Sequence, residues 1–190
     1  MTAPFFFGYG SLVNRRTHDY PRVHAASVRG WRRRWMHAST RPLAYLTAYE
    51  APGGRIDGVI AEVPGGDWSA LDVRERAYGR HEVPESHRDH DGIRPATVEI
   101  YAVPPSSAAG AETRHPILLS YIDVVIQGFM AEFGEDGAAN FFATTDGWDA
   151  PVLNDRAAPI YRRHQRLSPS ETAFVDAALS SLSVTMKELE

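Results

Sequence analysis

Of the 24 acidic residues in this 190-residue chain, one sits where a carboxylate is costly. If the segment from Trp68 to Tyr78 is helical, Trp68, Leu71, Glu75 and Tyr78 share one face. Glu75 then lies within an apolar stripe, with Asp72 and Arg76 toward one side and Arg74 toward the other. Apolar surroundings disfavour the charged form and raise a carboxylate's pKa toward the range useful for proton transfer near neutral pH. Glu75 is therefore the candidate general acid or base. The competing reading is a structural ion pair with Arg74, Arg76 or a distant arginine.

A second candidate is the turn Gly8-Tyr9-Gly10-Ser11-Leu12, which follows the apolar run Phe5-Phe6-Phe7. Glycines at positive φ would let successive backbone N–H groups converge on a carboxylate or a developing oxyanion. The competing reading is a tight strand-end turn holding an aromatic core residue. The spacing fits neither a phosphate-binding loop nor a dinucleotide fingerprint. Ser11 lacks the elbow and the partner histidine expected of a nucleophile.

These residues need a scaffold, and the pattern predicts one. Phe5–Phe7, Val23–Ser39, Leu43–Tyr49, Ile56–Val63 and Ala96–Val103 read as strands, with Ala51–Gly54 as a turn between two of them. Gly58 suits a close backbone approach. Asp67 can cap the Trp68–Tyr78 helix, and Gly79 can stop it. The stretch His81–Gly92 reads as irregular, and Ser106–Arg114 as a loop. Pro116 suits the first turn of a helix ended by Gly134. Its apolar positions cover most of its circumference, with Ser120, Asp123 and Gln127 as a narrow polar stripe. Ser168-Pro169-Ser170-Glu171 is a capping box that opens a last helix. Consecutive strands, then mostly helices, predict an α+β fold in a single domain.

Composition removes several kinds of chemistry. The chain has no cysteine, so disulfides, cysteine–zinc sites, iron–sulfur ligation and thiolate nucleophiles are excluded. A net charge of −4 argues against general nucleic-acid binding. No apolar run approaches the roughly 20 residues of a membrane span. The N-terminal residues do not read as a signal peptide, which leads us to expect a cytoplasmic protein.

Other clusters carry less. His81, His87 and His90 lie among Glu82, Glu85, Asp89 and Asp91, but in no standard metal-ligand spacing. Strand alternation would split Arg29, Arg32, Arg33 and Arg34 between faces, leaving one free to pair with a buried acid or a substrate carboxylate. Tyr121 shares a helix face with Ile117, Val124 and Gly128, either as core or as a hydroxyl lining a pocket. Asn154-Asp155-Arg156 is either a loop closing the site or a turn with an internal ion pair.

In combination these residues resemble the gamma-glutamylcyclotransferase-like superfamily. Tyr9-Gly10-Ser11-Leu12 is similar to its N-terminal signature, and Val28-Arg29-Gly30-Trp31-Arg32-Arg33-Arg34-Trp35 to its second-strand pattern. Leu71-Asp72-Val73-Arg74-Glu75, followed by Tyr78 and Arg80, resembles the catalytic-glutamate helix of the glutathione-acting ChaC branch. Tyr121-Ile122-Asp123 resembles a tyrosine-bearing helix of the family. The resemblance spans roughly residues 4–130, and the last sixty residues match less well.

It implies a compact mixed β-barrel flanked by helices, with a core of about residues 4–145 and a C-terminal extension over 146–190. It also implies a reaction in which the α-amine of a γ-glutamyl group attacks its own γ-carbonyl, giving 5-oxoproline and a released amine. Glu75 would carry the proton. Tyr9, Gly10, Ser11 and Leu12 would bind substrate, with Tyr121, Arg34 and Arg156 as further contacts. No metal, cofactor, nucleic-acid or membrane partner is implied; the partner is a small γ-glutamyl substrate. A non-catalytic binding module on the same fold and a metal-dependent hydrolase built on the histidine loop are the alternatives.

Overall fold

The structure is a computed structural model, and it describes residues 3–38, 42–104 and 114–189. Ser39 and nearly all of the loop expected over 106–114 lie outside the described residues. In chain order the strands are β1 (Phe5–Gly8), β2 (His24–His37), β3 (Ala44–Glu62), β4 (Gly79–Glu82), β5 (Arg88–His90) and β6 (Val98–Ala102), followed by β7 (Ile117–Leu118), β8 (Thr145–Asp146), β9 (Val152–Asn154) and β10 (Met186–Glu188). The helices are α1 (Ser69–Arg74), α2 (Leu119–Ala143) and α3 (Pro169–Ser181).

Every residue of β1 is buried. Successive strand side chains point to opposite faces, so a fully buried strand needs cover on both sides. Phe5 and Phe7 enter one core cluster with Ile122, Ile126 and Phe129 of α2 and Val175 of α3. Phe6 enters a second cluster with Leu12, Leu71 and Tyr101. The sheet thus carries α2 and α3 on one face and the short α1 on the other. Burying each phenylalanine contributes about 1.5–3 kcal/mol.

The main sheet runs in the order β4-β6-β1-β3-β2-β5, with β8 added to β2. β1 pairs antiparallel with β3 and parallel with β6. The fold is α+β as expected, but this pairing is an open path and does not close into a barrel among the described residues. A smaller sheet, β10-β9-β7, ties the C-terminal segment to the start of α2.

Local differences from the sequence reading have physical causes. Ala51–Gly54 does not separate two strands. It is looped out of a continuous β3, because Trp31 pairs with Glu50 while Arg29 pairs with Arg55. Residues 81–92 are not irregular throughout; they include β4 and β5, which pair with β6 and β2. Helix α2 starts at Leu119, since Ile117 and Leu118 pair with β9. Gly134 interrupts it at φ +69°, and helical residues resume beyond. Gly58 has the close approach expected of it, for a Cβ there would collide with the Gly8 carbonyl. The Ser168 capping box is formed as read, with both reciprocal bonds present.

Arg33 is fully buried. It donates to the Asp57 carbonyl at 2.9 Å and to the Thr144 hydroxyl at 2.7 Å, and its guanidinium lies 4.7 Å from the Phe141 ring centre. Burial lowers its pKa to about 10. No helix among the described residues is long and apolar enough to cross a membrane.

Candidate active site

The chain leaves β1 at Gly8 and turns through Tyr9 and Gly10 into a single 3-10 turn, Ser11–Val13. Neither Gly8 nor Gly10 is among the positive-φ glycines, and Gly10 sits at φ −125°. The expected left-handed nest is therefore absent, and Gly10 is glycine for room. A Cβ there would stand 2.7 Å from the Tyr121 hydroxyl and 3.1 Å from Leu46. The turn is pinned to α2 by Asn14, whose amide donates to the Val124 carbonyl at 2.9 Å and to Gln127 at 3.1 Å.

The first amides of a helical turn have no partner within it. The Ser11 amide favours the charged form of the nearby Tyr121 hydroxyl. The Gly10 and Leu12 amides donate to no protein acceptor among the described residues. Tyr121 lines the pocket and donates to no protein acceptor among the described residues, which leaves its O–H for the pocket. Its ring is held edge-on against Trp35 at 5.9 Å and Tyr161 at 5.0 Å.

Helix α1 is shorter than the sequence predicts. It ends at Arg74, and Glu75 closes it with φ −101° and ψ 27°. The face survives because the turns continue: the Glu75 amide donates to Leu71 at 2.8 Å and the Tyr78 amide to Glu75 at 2.7 Å. Asp67 accepts from the Ser69 amide at 3.0 Å, one position inside the expected start. Leu71 anchors the helix in the core, and the Tyr78 hydroxyl donates to the Leu46 carbonyl at 2.9 Å. The chain must bend after Arg74 so that Tyr78 reaches Leu46 and Gly79 enters β4.

Glu75 consequently faces a pocket floored by the Gly8–Leu12 turn, with Phe7, Leu46 and the tyrosines Tyr9, Tyr78, Tyr101 and Tyr121 around it. Its side chain is 16% exposed, so it is largely desolvated yet reachable. Burial raises its pKa, and the charges of Arg74 and Arg163 offset part of that rise. Arg74 Nε lies 3.3 Å from Glu75 Oε1. The same guanidinium donates to the Thr17 carbonyl at 3.0 Å and reaches Ser11 Oγ at 3.3 Å. The alternative reading of Glu75 as an ion-pair member is thus partly realised, within the pocket wall itself.

The remaining tyrosines shape the walls. Tyr9 donates to the Tyr101 carbonyl at 2.5 Å and accepts from the Ala48 amide at 3.0 Å. Tyr101 donates to Asp72 at 2.6 Å. Burial drives the pKa of all four pocket tyrosines upward, which keeps them as neutral O–H donors.

Glu75, Tyr9, Gly10, Ser11, Leu12 and Tyr121 are brought together as the sequence predicts. Arg34 and Arg156 are not part of this lining. Arg34 stacks on Tyr49 at 4.8 Å from the ring centre. Arg156 forms a two-bond pair with Asp123, both bonds at 2.8 Å, and also reaches Asp176 at 2.6 Å. The ion pair is not internal to Asn154-Asp155-Arg156, as the turn reading had it, but runs outward to α2 and α3. Among the described residues no three His, Asp or Glu side chains are grouped to hold a metal ion. Sequence reasoning named Arg74 only as an ion-pair partner of Glu75, and it missed Tyr161; both support the pocket from behind its lining, through Ser11. Arg74 was legible as the neighbour of an inward glutamate, whereas nothing local marks Tyr161.

A family model described as ChaC-like protein matches residues 5–109, just over half of the chain and every pocket residue up to Tyr101. The chain belongs to the ChaC-like family. Among solved structures, the ChaC-like chain has the fold of YkqA from Bacillus subtilis (TM-score 0.54, 19% identity), covering 77% of this chain and 57% of that one. It thus spans little more than half the length of YkqA. A human protein, loc79017, aligns over 93% of this chain and 99% of its own (TM-score 0.57, 14% identity). A structure titled gamma-glutamyl cyclotransferase aligns over 91% of this chain and 98% of its own (TM-score 0.53, 15% identity). A search of the curated proteins finds no match.

Proposed function

We propose that this ChaC-like protein is a γ-glutamyl cyclotransferase that converts a γ-glutamyl peptide or amine to 5-oxoproline and a free amine. The observation that carries the reading is the pairing, in one pocket, of a desolvated carboxylate on Glu75 with hydrogen-bond donors from Leu12 and Tyr121. The ChaC-like family match and the shared fold with a cyclotransferase support it.

In this reading the α-amine nitrogen forms a bond to the γ-carbonyl carbon of the same glutamyl group. The pocket walls hold the chain curled, so the attack is unimolecular. Glu75 takes the proton released by the amine. The Tyr121 O–H and the Leu12 N–H steady the carbonyl oxygen as it gains charge. The amide C–N bond then breaks, and Glu75 returns its proton to the departing nitrogen. Atoms balance without a co-reactant. Arg74 draws the carboxylate toward its charged form and fixes its position against Ser11.

The test is incubation with glutathione, γ-glutamyl dipeptides and γ-glutamyl amines, with 5-oxoproline as the readout and Glu75→Gln as control. Product from wild type and loss in the variant supports the reading; equal turnover by both overturns the role of Glu75. The Arg74–Glu75 contact favours a second reading, a binding module in which the carboxylate is structurally paired. Ligand binding without 5-oxoproline from any compound would select it.

A further inference from the structure

The C-terminal segment that the sequence left unassigned is strapped over this pocket. Asp155, fully buried, starts the strap. It accepts from the Ser120 amide at 2.8 Å, from the Ser120 hydroxyl at 2.6 Å and from the Ile160 amide at 2.9 Å. Tyr161 then reaches down to the pocket floor. Its hydroxyl donates to Ser11 Oγ at 2.8 Å, and its ring packs edge-on against Tyr121. A turn follows, in which the His164 amide donates to the Tyr161 carbonyl at 3.0 Å. Further along, Gln127 holds the Arg166 carbonyl at 3.2 Å. Both ends of the turn are fixed to α2.

Within that turn Arg163 is exposed, and among the described residues it has no side-chain hydrogen bond or ion pair. Its charge is felt by Glu75 and by Tyr20, both of which it draws toward their ionised forms. Arg163 thus lies on the strap two residues from the Tyr161 anchor, its guanidinium exposed and unengaged and its charge reaching the carboxylate of the pocket. Among the described residues Glu75 is the only acid lining the pocket, and Arg74 already pairs with it. A guanidinium in such a place is suited to a carboxylate, which it can meet with two parallel charge-assisted bonds.

We propose that Arg163 is a specificity-determining residue that binds the carboxylate carried by the departing part of the substrate. It selects γ-glutamyl peptides with a free C-terminal carboxylate over γ-glutamyl amines and amidated peptides. This deepens the cyclotransferase reading and rests on it for the identity of the pocket. The bonds broken and formed in the reaction are unchanged; Arg163 only positions the leaving portion.

The experiment compares γ-glutamylglycine with γ-glutamylglycinamide, and glutathione with its C-terminal amide, on wild type, Arg163→Gln and Arg163→Lys. In wild type the acid should be preferred over the amide in kcat/KM. Arg163→Gln should lower that preference about 10–100-fold, chiefly through KM, and Arg163→Lys should restore part of it. Equal use of acid and amide by wild type, or an equal loss on both in Arg163→Gln, would overturn the proposal. Binding is measured in parallel by calorimetry on Glu75→Gln, with and without Arg163→Gln. If wild type forms no 5-oxoproline, the catalytic reading fails alone. The carboxylate preference in binding then still decides the role of Arg163, supporting it if Arg163→Gln abolishes the preference and overturning it if acid and amide bind alike.

Discussion

Arg74 Nε and Glu75 Oε1 lie 3.3 Å apart, an ion pair between sequence neighbours built into the wall of the pocket. Two opposing influences meet there. Burial raises the pKa of Glu75, and Arg74 pulls it down. A base must be deprotonated, so activity falls as pH drops through the pKa of Glu75. The acid limb of kcat/KM should lie above the ordinary carboxylate value of about 4.3. Arg74→Gln removes the lowering influence, so the limb should move to higher pH. A pH–rate profile of both proteins checks this, and a shift to lower pH would contradict the assignment.

Replacing Glu75 by Gln should separate activity from stability. Turnover should fall about 10²–10⁴-fold, the usual worth of a general acid–base group. Stability should not fall with it. A group whose pKa is raised on folding contributes most below its unfolded pKa, and that contribution is lost as pH rises through the folded one. The gap between Glu75→Gln and wild type should therefore favour the variant at pH 7–8 and shrink on acidification. Thermal melts across pH 4–8 measure it.

Gly10→Ala tests the crowding at the pocket floor. The new methyl would stand 2.7 Å from the Tyr121 hydroxyl. Overpacking of this kind costs about 1–3 kcal/mol. Adding Tyr121→Phe removes the oxygen that is struck, so denaturant midpoints should recover in the double variant while 5-oxoproline formation stays low. A single variant as stable as wild type would show that the contact relaxes freely.

Tyr161→Phe should loosen the strap without unfolding the sheet. Only the bond to Ser11 Oγ is removed, worth about 0.5–1.5 kcal/mol. Hydrogen exchange should quicken over residues 160–166, with KM raised more than kcat lowered. Unchanged exchange there would mean that ring packing on Tyr121 holds the strap alone.

What the sequence made legible depended on how local the cause was. The capping box at Ser168 and the inward phase of Leu71, Glu75 and Tyr78 are set within a few residues, and both appear in the structure. Ala51–Gly54 has the composition of a turn, yet the strand continues across it because β2 pairs on either side. β4 and β5 lack apolar alternation, since every one of their residues is at least partly exposed, and only their neighbours define them. Arg34 and Arg156 are arginines of the right kind in the wrong place, drawn instead to Tyr49 and to Asp123. Tyr161 meets Ser11 across 150 residues, a relation no spacing rule reports.

The position of β1 between β3 and β6 has a consequence for how the molecule comes into being. Phe5 pairs with Val98, so the parallel edge of β1 waits for about 90 further residues to be made. At about 5–20 residues per second, that interval is several seconds during which Phe5, Phe6 and Phe7 are without half their neighbours. Such long-range pairing makes folding slow. The floor of the pocket hangs from β1, and its strap arrives some 60 residues after β6. Recovery of activity on refolding should accordingly trail every spectroscopic sign of secondary structure, and reports the finished topology rather than any part of it.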